Sequence, residues 1–303
     1  MPNTLAHFGL QGVVTRALIK EAEAKWIFFG CIIPDLPWIL HRAVRTLIPS
    51  VDLYHARLYA AVQASLAVSL LCCVSVALIA KKPYKVFRVL ALNAFLHLLI
   101  DACQTKWANG VHLFAPFSWE LVNFGWFWPE SLPTILLTVL GLAYFAWEWR
   151  RSVPQLTTRG PLSSQRILMA LVCLIAYLLL PLAFWSASYA KDNHSVQTLR
   201  ERQSRVGRTV AFDRNQYLQR AQGDMLRTFT HETLRVTGDT RGRSGTISVR
   251  ATFVDPETIR IDALHQHWPW FRDSASYFGL TLLAALWIRS WWRESSLFPH
   301  NRL

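Results

Sequence analysis

His97 and Asp101 stand four residues apart within Phe95–Trp119, which reads FLHLLIDACQTKWANGVHLFAPFSW and begins deep inside an apolar run. On a helix that spacing places imidazole and carboxylate on one face, one turn from each other. An Asp at the centre of a spanning helix costs about 2.5–3.5 kcal/mol to insert. A bound cation can offset such a cost, and so can a buried His–Asp hydrogen bond that pins neighbouring helices. Two more residues of the right type lie upstream. His7 falls in the first turn of a helix predicted over Thr4–Lys20, with Thr4 as its N-cap. Asp35 sits in Pro34-Asp35-Leu36-Pro37, inside the apolar segment Trp26–Leu40, where proline bends or ends a helix. Irregular backbone at membrane depth is tolerated where it faces a cavity. Imidazoles and carboxylates from separate segments, with an open position and little bulk water, are what a hydrolytic metal site requires.

The elements that must carry these groups are apolar helices. Of 303 residues 52% are hydrophobic, and the mean hydropathy is +0.21, which is high for a soluble chain of this length. Runs near the roughly 20 residues that cross a bilayer are Leu58–Ala80, Val86–Cys103, Leu132–Trp147, Ile167–Ala190 and Tyr277–Trp292. The expected fold class is therefore mostly α, a polytopic helical membrane protein. No cleavable signal peptide is apparent. The net charge of +13 is read as basic loops that orient the spans, and no nucleic acid is expected. The cysteines, Cys31, Cys72, Cys73, Cys103 and Cys173, have neither zinc-knuckle spacing nor a disulfide pattern.

Basic loops at Lys81–Arg88 and Arg150–Arg166 are assigned to the cytoplasm. That orientation puts His7, Asp35, His55, the His97/Asp101 pair and the aromatic loop Gln104–Trp128 together on the outer side. Lys191–Asp273 is polar and long enough for a small domain. Gly245–Val254 and Thr258–His265 alternate apolar and polar residues around a turn at Asp255-Pro256-Glu257, which predicts a β-hairpin. Thr209–Phe212 and Thr233–Val236 are candidate further strands, and Gly238–Gly245 is a turn-rich basic loop. The chain thus divides into a helical membrane domain over 1–190, a small β-rich extracytoplasmic domain over 191–273, and a last span with a short tail over 274–303. The outer domain is a candidate surface for a protein partner.

Three stretches resemble a known family. TLAHFG around His7, GCIIPD ending in Asp35, and HLLIDACQT followed by LFAPFSW are similar to the bacterial membrane-bound metal-dependent hydrolases often called YdjM- or YbcI-like. The resemblance covers roughly Met1–Glu130, and the short motifs are also similar to those of zinc-dependent phospholipase C enzymes. It implies a metal-assisted hydrolase, a phosphoesterase in the first instance, in the bacterial inner membrane. The implied cofactor is a divalent metal such as zinc on His7, Asp35, His97 and Asp101. There are departures. Pro37 stands where the family commonly has a second Asp, and His41-Arg42 followed by Tyr54-His55 replaces an HR-x-x-TH-type motif with different spacing. His55 is carried as a fifth candidate ligand.

Lys106 suits a phosphate, and Glu120 or Glu130 a general base, although loop surface is the plainer reading of both glutamates. Gln104, Asn109 and His112 are candidate pocket residues. His265 and His267 can ligate a metal, but alternate positions at a strand end are more often surface. Gln63, in an otherwise apolar span, is expected to bond a neighbouring helix. A site beside the bilayer points to a membrane lipid or lipid-linked phosphate as substrate. The rival class is a non-catalytic scaffold or sensor whose outer domain binds a partner. A transporter is disfavoured, because the two halves show no internal repeat.

Overall fold

α1 (Thr4–Leu18) runs through the middle of the helical domain, flanked by α2 (Ala24–Ile32), α6 (Pro83–Cys103), α7 (Leu132–Arg150) and α10 (Phe271–Leu297). A computed structural model of the chain describes residues 3–151, 163–238 and 243–297. Asn3, not Thr4, caps α1: its side chain accepts from the backbone N–H of Ala6. The helix lies close to α7 because glycines meet there. A Cβ on Gly141 would come within 1.8 Å of the Leu5 carbonyl oxygen, and one on Gly9 within 2.6 Å of the Gly141 nitrogen. Small residues let backbones approach in this way in membrane helices. Phe8, Ile27, Phe28, Leu90 and Ala94 fill the shared core and are wholly buried. Between membrane helices these side chains stabilise through close van der Waals packing rather than removal from water.

Between α2 and α3 (Leu36–Leu47) a 3-10 turn, Ile33–Asp35, breaks the segment where the prolines predict it. The single span expected over Leu58–Ala80 is instead two helices, α4 (Leu53–Gln63) and α5 (Leu66–Leu78), bent by 68°. Ser65 precedes α5 with extended backbone, and that local break is invisible in an uninterrupted apolar run. α8 (Ser164–Ala190) packs on α4 and α5. Gln63 reaches the Tyr177 carbonyl on α8, as expected for a polar group in an apolar segment. Four described helical segments are long and apolar enough to cross a membrane, Ala24–Leu47 and α6, α7 and α8, or five with the bent pair. α10, where a last span was expected, has 27 residues but is more polar than these. Leu168, Leu171, Val172, Ile175 and Leu179 on α8 stand exposed, which suits a lipid-facing surface. The basic stretch expected over Arg150–Arg166 lies mostly outside the described residues, as does part of Gly238–Gly245.

After the short α9 (Val196–Arg200) the chain forms a closed five-stranded barrel in the order β1-β2-β3-β5-β4. The strands are β1 (Thr209–Leu218), β2 (Met225–Arg227), β3 (Thr233–Gly238), β4 (Gly245–Asp255) and β5 (Thr258–Gln266). β4 and β5 form the expected hairpin, and β3 closes the barrel by pairing parallel to β5. Sequence alternation misses β2 and half of β1, where an irregularity between Phe212 and Asn215 interrupts the period. At such a bulge the strand bends and re-aims its side chains. Here it turns Asp213 and Arg214 toward the helical domain.

Candidate metal centre

His7, Asp35, His97 and Asp101 come from α1, the 3-10 turn and α6, and the fold brings all four together. Gly30 allows part of this, since a Cβ there would lie 2.8 Å from the Asn93 side chain and push α2 off α6. The close packing sets the Cys31 carbonyl 2.5 Å from His97 Nδ1. With Nδ1–H donated to that carbonyl, Nε2 is left as a free lone pair, the arrangement by which a backbone partner prepares a ligating histidine. His97 Nε2 lies 3.4 Å from Asp35 Oδ1 and 3.9 Å from Asp101 Oδ2, and His7 Nε2 lies 3.5 Å from Asp101 Oδ1. The two imidazoles are stacked, with centroids 3.9 Å apart and planes within 5°.

His7 Nε2, His97 Nε2, Asp35 Oδ1 and Asp101 Oδ1 are buried and have no hydrogen-bond partner. Leaving one such group unpaired costs roughly 1–3 kcal/mol, more if it is charged. Four at one locus, two of them carboxylate oxygens, form a donor set that fits a divalent cation. The Nδ1 of His7 meets the Gln11 side-chain amide at 2.8 Å. Exchanging the amide oxygen and nitrogen changes no shape; it also gives the unpartnered Gln11 Oε1 the His7 Nδ1–H and frees Nε2. Gln11 was missed from sequence, although it lies four residues from His7 and so on the same helix face. The Lys106 ammonium is 3.1 Å from Asp101 Oδ2 and nearly fully buried.

Two groups among the described residues bring ligand atoms within 4.8 Å of one another and so can hold a metal: His7, His97 and Asp101, and Glu130, His265 and His267. The second corrects the surface reading of its members. Glu130 and His267 are buried where the barrel meets the helical domain, and His265 lies flat on Trp128 with centroids 3.6 Å apart. This group is largely satisfied from within. His267 Nδ1 and Arg214 Nη1 contact Glu130 Oε1 at 2.8 and 3.1 Å, and His267 Nε2 meets Ser248 Oγ at 2.8 Å. Burial opposes ionisation of Glu130, but its hydrogen bonds with the two histidines and the Arg214 charge outweigh this and hold its carboxyl well below the usual range. The group works as a clasp between barrel and helices.

A cavity of about 690 Å³ opens above Asp35, His97 and Asp101. Lys106, Asn109 and His112 line it, whereas Gln104 is buried elsewhere. The barrel supplies part of its wall: Asp213 accepts from Asn109 at 3.0 Å, and Arg214 stands beside it with φ of 56°. Nothing in the β1 sequence announces that contribution, because the bulge arises from strand pairing.

The remaining candidates lie apart from this centre. His55 is half-exposed on α4, bonded to Asp52 at 2.7 Å and stacked edge-on against Trp185. Glu120 is exposed and pairs with Lys191 at 2.9 Å. The cysteines are free, as their spacing predicts. Comparisons with family models, with curated proteins and with solved structures found no match.

Proposed function

We propose that this protein is a membrane-embedded, metal-dependent hydrolase of phosphate esters, acting on a lipid or lipid-linked phosphate at the outer face of a bacterial inner membrane. One observation carries the reading: four buried, unpartnered ligand atoms converge, three of them on residues that line a cavity whose walls favour anions. Six lysine and arginine side chains line that cavity against four aspartates. Arg57 Nε, His41 Nε2 and His194 Nδ1 on its walls are also buried without a hydrogen-bond partner. A bound divalent ion brings the positive charge higher still, and a phosphate is the common biological anion that suits such a surface. The motif resemblance to membrane-bound metal-dependent hydrolases and to zinc-dependent phospholipases C supports the same class.

In this reading His7, Asp35, His97 and Asp101 hold the ion, with zinc the first choice for a site of imidazoles and carboxylates. The ion supplies Lewis acidity toward water and a phosphoryl oxygen. The Cys31 carbonyl and Gln11 fix the rings of His97 and His7. Lys106, anchored on Asp101, offers its remaining N–H donors to a phosphoryl oxygen. Barrel and helices together wall the cavity that holds these groups. Hydrolysis adds water oxygen to phosphorus, breaks the ester P–O bond and passes a proton to the departing alcohol.

The test is metal content and turnover of the purified protein in detergent, with phosphatidic acid and phospholipids as substrates. Bound divalent metal is expected, with hydrolysis lost on chelation and lost together with metal in His97→Ala. A folded wild-type chain that binds no divalent metal overturns the proposal.

A further inference from the structure

The cavity reaches the surface between α3 and α10, an opening that the hydrolase reading does not use. Ile39, Ala43 and Leu47 of α3 line one side of it, and Ser276, Tyr277 and Leu280 of α10 line the other. The two helices rest on different neighbours, α3 on α4, and α10 on α1 and α2. A side-chain bridge spans the gap between them. Arg42 Nη1 donates to the Tyr277 hydroxyl at 2.5 Å, and Arg42 lies 3.7 Å from Asp273. Both charged partners are more than a third exposed, and an exposed ion pair of this kind is worth about 0–1 kcal/mol. The bridge therefore closes the gap weakly. Around it four apolar side chains stand exposed, Ile39, Leu40, Leu47 (by 76%) and Phe278, beside the exposed Arg45 and Thr46.

We infer that the gap between α3 and α10 is a lateral portal, through which an anionic membrane lipid places its head group in the cavity and leaves its acyl chains in the bilayer. This rests on the phosphate-hydrolase reading for what happens to the head group, but not for its entry. Three features select the occupant. The interior carries an excess of cations for an anionic head group. The exposed apolar side chains Ile39, Leu40, Leu47 and Phe278 flank the opening, beside the basic Arg42 and Arg45 of α3. The α2–α3 segment that forms one wall is among those long and apolar enough to cross a membrane. A water-soluble phosphate ester has no use for those exposed apolar side chains, whereas the acyl chains of a lipid do. Arg42 serves as the latch, exchanging Tyr277 and Asp273 for the lipid phosphate as the head group passes.

The test fills the gap. Ala43→Trp combined with Ser276→Trp is compared with wild type on phosphatidic acid in vesicles and on the water-soluble p-nitrophenyl phosphate. Turnover of the vesicle lipid is expected to fall by about tenfold or more, while that of the soluble ester stays within about twofold. Unchanged lipid turnover overturns the portal, and so does an equal fall on both substrates. If the metal-loaded wild type hydrolyses neither, the hydrolase reading has failed, and entry is then read without turnover. A photoactivatable benzoylphenylalanine at Ala43 is irradiated in vesicles of phosphatidic acid and phosphatidylcholine in equal amounts. Preferential attachment of phosphatidic acid supports the portal, and labelling without preference, or none, overturns it.

Discussion

Asp35→Asn separates a metal centre from a helix pin by the sign of its effect on stability. Asp35 Oδ1 is buried and unpartnered, 3.4 Å from His97 Nε2, and no lysine or arginine among the described residues is paired with it. Without metal, the substitution replaces an orphaned carboxylate oxygen by an amide that can donate to that nitrogen. One hydrogen bond is gained, worth about 0.5–1.5 kcal/mol, and an unpaired group costing about 1–3 kcal/mol is relieved. With metal at roughly a hundred times its Kd, the wild type gains about 2.7 kcal/mol by mass action, most of which a weakened site forfeits. At roughly 2–4 °C per kcal/mol, the Asp35→Asn variant should melt several degrees higher than wild type in chelator, and zinc should raise the wild type by about 5–11 °C while moving the variant little. The assay is intrinsic fluorescence in detergent, which the 14 tryptophans make sensitive. A pin made of His97 and Asp35 predicts destabilisation under both conditions. A variant less stable than wild type in chelator, or one that zinc raises as much as it raises wild type, refutes the metal assignment.

Lys106→Gln should lower kcat/KM on a phosphate ester by about 10–100-fold through loss of a charge-assisted hydrogen bond, while Glu120→Gln, on the exposed Lys191 pair, should leave turnover unchanged. Gly141→Ala forces a methyl into the Leu5 carbonyl and should displace α1, so metal content should fall in a protein whose barrel still folds. Burial pushes the His112 imidazole down from 6.5 to about 4. The folded chain holds it neutral while the unfolded chain protonates it below its ordinary value. Stability should therefore fall as pH drops from about 6.5 toward 4, by ~2 kcal/mol at pH 5, and show no contribution above. Thermal melts of wild type and His112→Leu at about pH 5 and 8 check this, with the variant expected to be less acid-sensitive.

Much of the site was legible in the sequence because its chemistry is costly where it lies. A carboxylate or imidazole in an apolar segment stands out against its neighbours, as Asp35, His97 and Asp101 do; each is a weak signal alone, and a common outer side with the motif resemblance joined His7 to them. Period alone placed the β4–β5 hairpin, and the prolines placed the break at Asp35. Apolar composition marked the helices, although it could not show that Leu58–Ala80 bends, since both halves bury or expose the same kind of surface.

Convergence came from the packing. Ligand atoms from three segments meet only because Gly9, Gly141 and Gly30 let α1, α7, α2 and α6 approach, and a glycine does not name its partner in advance. The same holds for exclusion. His55 has the right side chain, but the packing of α4 on α8 and the barrel turns it to Asp52. Glu130 and His267 read as surface until the barrel docks and buries them. A bulge in β1, which depends on pairing with β4, brings Asp213 and Arg214 to a cavity built otherwise by helices. The order of residues marks those that are too polar for their surroundings. Which of them share one partnerless locus follows from the packed helices and barrel, because that is a property of distances across the fold.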